Sequence, residues 1–238
     1  MIKRYFIALV GVIAMVGSLN AQKLWTSAEA STNIVGGLKG FAQVEFRTHD
    51  GLSSAERWAG TIGLEYSVCK YLKVTAGYMY MHQQTETSHS ADAVVPSYWL
   101  PKHRGLVALT GSYGWNGFTF SLRERYQDTY NARKSVPRYE ADGITRMADK
   151  VVDAKHKHTL RSRLEVKYKI ASSGFSPYVS CELHNYLTEG MELEETRWTF
   201  GTSYSINKKN SVELYYRFID ETSKEDAHII GLGYKIKI

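Results

Sequence analysis

Proline and cysteine are scarce in this chain, and beyond its N-terminal segment no run is apolar enough for a membrane helix. Four prolines in 238 residues leave long segments free to pair as strands, because proline is confined to sheet edges and turns. Two cysteines, Cys69 and Cys181, exclude a disulfide-dense scaffold. Cys69 falls in an expected tight turn and Cys181 in mid-strand, so no bridge is expected between them. Without a second apolar run a helical membrane protein is excluded, and a closed barrel is the remaining way to cross a bilayer. A cluster of one charge sign is missing too. The formal +6 is spread along the chain and offers no nucleic-acid surface. No motif for a redox or nucleotide cofactor occurs, and no cofactor is expected.

What is present is alternation. In Gly231–Ile238, Leu232, Tyr234, Ile236 and Ile238 fall on one face and Gly231, Gly233, Lys235 and Lys237 on the other. A strand that is apolar on one side and polar on the other suits the wall of a lipid-embedded barrel. Gly233, Ile236 and Ile238 also resemble the C-terminal signal read by the barrel-assembly machinery of bacterial outer membranes, although that signal ordinarily ends on an aromatic residue. At the other end, residues 1–21 have a basic start (Lys3, Arg4), an apolar middle and small residues before Ala21. This is the pattern of a secretory signal peptide. Cleavage is expected after Ala21, leaving 22–238 as one outer-membrane barrel domain.

Period-two segments recur along that domain. They predict an all-β, antiparallel up-and-down transmembrane barrel of about ten strands: 38–48, 57–68, 71–83, 104–113, 117–130, 156–170, 175–186, 194–206, 211–220 and 227–238. A poorly alternating segment, Leu24–Asn33, leaves twelve as the alternative count. Paired as an eleventh strand, it would put the mature N-terminus outside. Tight turns at Cys69-Lys70, Trp115-Asn116, Ala171–Gly174 and Asn207–Asn210 alternate with long segments at Gln84–His103 and Asn131–Lys155. Outer-membrane barrels have short periplasmic turns and longer outer loops, which sets the orientation.

The polar faces carry ionic residues of both signs: Glu45, Arg47, Glu65, Arg123, Arg125, Arg161, Arg163, Glu165, Glu182, Arg197, Glu213 and Arg217. In a narrow barrel these form a charge network across the lumen. Glu124 breaks the pattern, because strict alternation from Phe118, Phe120 and Leu122 turns it outward. A bulge near Leu122 or a place at the rim would account for it. Tyr98, Trp99, Lys102 and Arg104 are expected at the membrane interface, the rings at headgroup level and the cations near phosphates, with a lid over the lumen as the other reading of this loop.

Taken together, Leu24–Ser27, Arg57-Trp58, Gly63–Tyr66, Ala76–Tyr78, Pro96–Arg104, Leu122–Gln127, Leu160–Arg163, Pro177-Tyr178, Leu214–Arg217 and His228–Tyr234 resemble the DUF2490 family of uncharacterised outer-membrane barrel proteins, of the Bacteroidetes type. The resemblance implies an outer-membrane barrel. It implies no catalytic residue.

Chemistry is thinly signalled. A serine hydrolase needs a serine activated by a neighbouring histidine; Ser180, Glu182 and His184 share a strand face, and His89-Ser90 lies in a loop. Asp149, Asp153, His156 and His158 would suit a protease above the barrel, but nothing fixes their geometry. His156-x-His158 is a metal-ligand spacing without an identifiable third ligand; no metal site is assigned. The leading expectation is therefore a non-enzymatic small-solute channel or a structural barrel with a charged lumen. A lipid-modifying hydrolase and an adhesin-like surface barrel are the alternatives. The expected partners are outer-membrane lipid and lipopolysaccharide, the assembly machinery during biogenesis, and an unknown small solute.

Overall fold

The computed structural model describes residues 23–49, 54–187, 190–222 and 225–238, so the expected signal peptide lies outside the described residues. Strand and turn account for the regular structure. The strands are β1 (Lys23–Val35), β2 (Leu38–His49), β3 (Ser54–Cys69), β4 (Leu72–Gln84), β5 (Ser88–His89), β6 (Ala93–Val95), β7 (Trp99–Trp115) and β8 (Phe118–Asn131). They continue as β9 (Lys134–Glu140), β10 (Arg146–Val152), β11 (Lys155–Tyr168), β12 (Phe175–Tyr186), β13 (Glu192–Ser205), β14 (Asn210–Glu221) and β15 (Ala227–Lys237).

Eleven of these close into one barrel in the order β1-β15-β14-β13-β12-β11-β8-β7-β4-β3-β2. The ten strands expected from alternation are all there, and the weak segment Leu24–Asn33 joins them as β1. A meander with an odd number of strands has its first and last strands pointing the same way. They must therefore close the wall in parallel, and β1 does so from Lys23↔Ile229 to Ser31↔Lys237. The other neighbours are antiparallel. The poor alternation of β1 has a plain cause. Its outer face carries the small residues Thr26, Ala28, Ala30 and Thr32, and its inner face Trp25, Ser27, Glu29 and Ser31.

The expected tight turns all lie at one end. At the Asn116-Gly117 turn both residues have positive φ, 46° and 84°, the requirement of a two-residue hairpin of the primed type. The turn of β1 into β2 uses Gly36 and Gly37, with φ of 52° and 84°. The two long connections are not plain loops. They carry β5, β6, β9 and β10, which form a separate four-stranded sheet beyond the barrel mouth. The sheet joins the two connections through Ala93↔Glu140 and Val94↔Tyr139, over a small apolar centre of the buried Ala93, Val95 and Val136. Its tip is tied by Asp142, which accepts from the Thr145 hydroxyl (2.7 Å) and from the Ile144 and Thr145 amides. The Thr145 bond first, then the two amides, hold this exposed carboxyl below its ordinary range.

The exterior and interior differ as a membrane barrel requires. Val44, Ile62, Leu64, Val107, Leu109, Leu122, Leu164, Phe200 and Leu232 are all exposed on the outer face. Tyr66, Tyr113, Trp115, Phe118, Tyr168 and Tyr204 border this band near the tight turns, and Trp58, Tyr126 and Tyr130 towards the other end. Cys181 lies on this outer face opposite Trp198, and both cysteines are free. Glu124 also faces outward, and neither explanation expected for it holds. The β7–β8 and β8–β11 registers run through it without a shift, and it sits between Phe118 and Tyr130, away from the rim. Instead Ser162 on β11 donates to its carboxylate at 2.6 Å, a local partner that lessens the cost of an acid beside lipid.

Inward glycines make room for inward rings. Gly231 pairs with Tyr215, and a Cβ added there would lie 1.9 Å from the Tyr215 ring. Gly201 stands in the same relation to Tyr178. Gly231→Ala should therefore destabilise the barrel by about 1–3 kcal/mol through overpacking, read as a lower midpoint in urea unfolding. The double variant Gly231→Ala/Tyr215→Ser should recover part of the loss.

Candidate functional site: the charged lumen

Register fixes which side chains share the lumen. From Trp25↔Arg47↔Arg57 across β1, β2 and β3, through Arg104↔Thr129 and Ala108↔Arg125 between β7 and β8, to Arg163↔Glu182 and Glu182↔Arg197 between β11, β12 and β13, the inward positions are polar or ionic. The twelve residues expected as the lumen network all occupy such inward positions. Near the tight turns the charges pair off: Lys73–Glu65 at 3.1 Å, Lys235–Glu213 at 3.3 Å and Arg163–Glu165 at 3.4 Å.

Two clusters occupy the middle. In the first, Glu45 accepts from Arg47 Nε (2.9 Å) and Nη2 (3.1 Å) and from Arg57. In the second, Glu182 accepts from Arg123 (2.7 Å) and Arg161 (Nε, 2.6 Å), and lies 2.6 Å from His184 Nε2. His184 Nδ1 is 2.6 Å from Glu195, which also pairs with Arg197 at 2.5 Å. Trp25 joins the clusters. Arg47 lies over its ring at 3.4 Å, with Arg217 at 5.1 Å and Arg197 at 5.5 Å, contacts that the ring quadrupole favours. Trp25 also packs on Ile219, Ala227 and Ile229 in a buried apolar cluster. Ile229 and Met81, which also point inward, are both at 0% exposure.

The positive charge is in excess. Arg47, Arg57, Arg104, Arg123, Arg125, Arg161, Arg197 and Arg217, eight cations, meet four carboxylates, Glu45, Glu56, Glu182 and Glu195. Among the described residues Arg104 donates to the Thr129 hydroxyl (2.8 Å) and Arg217 to that of Thr199 (2.9 Å). Buried Nε atoms of Arg123, Arg125 and Arg197, and Nε1 of Trp25, have no hydrogen-bond partner among the described residues. Buried polar atoms are ordinarily paired; the acceptors Glu56 Oε2 and Asn131 Oδ1 are in the same state among the described residues.

Some of these residues were not marked as lumen residues by the sequence. Arg57 and Glu195 follow the same inward period as the marked ones and were findable by extending it; His184 was marked only as sharing a strand face with Ser180 and Glu182, and Trp25 stands in the poorly alternating β1. The interface group divides. Trp99 faces outward and packs on His82, ring centroids 5.2 Å apart, while Tyr98 lies just ahead of β7, with Lys134 5.9 Å from its ring. Lys102 and Arg104 instead turn inward, Lys102 to Gln83 (3.1 Å) and Arg104 to Thr129. A role at lipid phosphates does not fit that place. The reason is that β7 begins at Trp99, so the period of two already governs residues that read as loop. Ser180 and His184 share the inner face, but both His184 nitrogens are engaged by carboxylates. No bond joins the histidine to Ser180 among the described residues. Asp128 lies 3.0 Å from His156 and 3.5 Å from His158 on the exterior, and among the described residues no group of three or more ligand side chains converges on a metal position. Of the residues expected as a C-terminal signal, Gly233 faces the lumen, Ile236 faces outward, and the Ile238 amide donates to Ser31 O at 2.9 Å.

Comparison with known proteins adds the fold and the family. The beta domain of the Bordetella autotransporter BrkA is similar over 86% of this chain and 85% of that one, at 12% identity and a TM-score of 0.54. The NanC porin, in a rhombohedral crystal form, is similar over 89% of this chain and 99% of its own, at 12% identity and a TM-score of 0.48. No curated protein matches. The family described as "Protein of unknown function (DUF2490)" matches residues 22–227, nearly the whole barrel, and the chain belongs to that family.

Proposed function

We propose that this protein is a bacterial outer-membrane channel for small anionic solutes, narrowed at rest by Trp25. The observation that carries the reading is the arginine excess at mid-lumen, with no carboxylate paired to Arg104, Arg125 or Arg217 among the described residues. An enclosed surface of one sign with low-dielectric walls concentrates counter-ions, and guanidinium forks suit carboxylate and phosphate groups. The closed wall, the apolar band and the export pattern of residues 1–21 support the outer membrane as its place. The end carrying the tight turns then faces the periplasm, and Gly233, Ile236 and Ile238 would be presented to the assembly machinery.

Planar-bilayer recordings across a salt gradient test this. The wild-type reversal potential should have the sign of anion preference. The double variant Arg104→Gln/Arg125→Gln should lower the anion-over-cation permeability ratio by about tenfold. Cation preference in the wild type, or no conductance from either the wild type or Trp25→Ala, would remove the channel reading.

A further inference from the structure

Histidine is concentrated on the outside of the barrel, at the end away from the tight turns. Tyr80↔His103↔Tyr130↔His156 form one unbroken row across β4, β7, β8 and β11. Their rings touch in sequence, with centroids 5.4, 6.2 and 5.1 Å apart, and His156 stacks on His158. A second patch on β14 and β15 sets His228 between Tyr216 and Phe218.

One arrangement recurs. Tyr78 Oη lies 2.6 Å from His103 Nδ1, Tyr126 Oη 2.9 Å from His158 Nδ1, and Tyr216 Oη 2.6 Å from His228 Nδ1. Each pair is a diagonal between neighbouring strands. In each, Nδ1 is engaged, at His158 with the Asp128 carboxylate also 3.5 Å away, and Nε2 has no protein partner among the described residues. With the phenol proton given to Nδ1, the ring proton sits on Nε2, and an N–H donor faces the surroundings. The three sites stand apart around the wall, on β7, β11 and β15, and do not converge. That spacing suits a layer of ligands and not a single ion. In the outer membrane, the layer bordering the apolar band at this end contains the phosphate groups of the outer leaflet's lipids.

We propose that these Tyr–His pairs form a phosphate-binding girdle that holds the headgroups of outer-leaflet glycolipids through His103, His158 and His228 Nε2. The site lies on the exterior and does not depend on what the lumen conducts.

The test is native mass spectrometry of the full barrel in micelles, supplied with lipid A bearing both phosphates or with lipid A stripped of them. The wild type should retain the phosphorylated lipid at least about tenfold better, as hydrogen bonds to charged groups allow. His103→Phe/His158→Phe/His228→Phe keeps aromatic rings on the wall and should abolish the preference. Leu122→Phe, on the same face nearer the tight turns, should leave it intact. If the histidine variant does not fold, Tyr78→Phe/Tyr126→Phe/Tyr216→Phe replaces it and should reduce the preference several-fold. Equal retention of the two lipids by the wild type would overturn the proposal, as would an unchanged preference in the substituted barrel. Displacement of the lipid by millimolar inorganic phosphate would assign the site to a free solute, and a preference that requires added zinc would assign it to a metal. Either result sinks the lipid reading.

Discussion

Glu182→Ala should lower the unfolding free energy of the barrel by about 3–5 kcal/mol. Glu182 is 5% exposed and is the shared acceptor of Arg123, Arg161 and His184. Removing it leaves two guanidiniums enclosed without their counter-charge, and the penalty is that of the stranded cations more than of the lost pair. Urea unfolding of the purified barrel in lipid vesicles reads the change as a shifted midpoint. Lys73→Ala supplies the contrast. Lys73 pairs with Glu65 at 3.1 Å, but its side chain is 48% exposed, and its loss should cost no more than about 1 kcal/mol. A Glu182 effect no larger than the Lys73 effect would mean that water reaches the central cluster freely.

Trp25→Ala has the other large expected effect, and it separates stability from passage. The indole is 5% exposed and packs on Ile219, Ala227 and Ile229, so truncation should cost about 3–5 kcal/mol in the same unfolding assay. It also removes the surface on which Arg47, Arg197 and Arg217 gather. Those side chains are then free to fold back towards the wall. Single-channel conductance should rise several-fold over the wild type while anion preference is kept. Trp25→Phe, which retains a ring, should stay near the wild-type conductance. If Trp25→Ala conducts no better than the wild type, the constriction lies elsewhere along the lumen.

Much of this architecture was legible because lipid and lumen impose opposite demands on alternate residues. Where both faces are strongly marked, as in β11 with Leu160, Leu164 and Val166 against Arg161, Arg163 and Glu165, the strand and its orientation follow directly. Where one face is weakly marked, the signal fades. The outward Thr26, Ala28, Ala30 and Thr32 of β1 neither resemble lipid-facing residues nor exclude them, so the seam strand stood between a strand and an irregular segment. The hairpins of the two long connections were illegible for another reason. Ser135, Arg138, Asp149 and Lys150 carry mixed charge in a sheet separate from the barrel wall, so no band forces an alternation. In the lumen, one-sidedness identified most charged members. It did not reveal that three cations converge on Trp25, because an inward tryptophan in a poorly alternating strand looks the same as an interfacial one.

The parallel seam bears on how the chain reaches its final form. Every other neighbour in the wall is supplied by the hairpin before or after it, or across one long connection. The pairing of Lys23 with Ile229 instead joins the two extremes of the domain, and such distant contacts form slowly because the intervening polymer must be ordered first. Until that last zipper engages, β1 and β15 are two unsatisfied edges in a phase that offers no hydrogen bonds. Assembly is therefore expected to stall, if it stalls anywhere, at this junction, and substitutions along Lys23–Ser31 should slow maturation more than they weaken the finished wall.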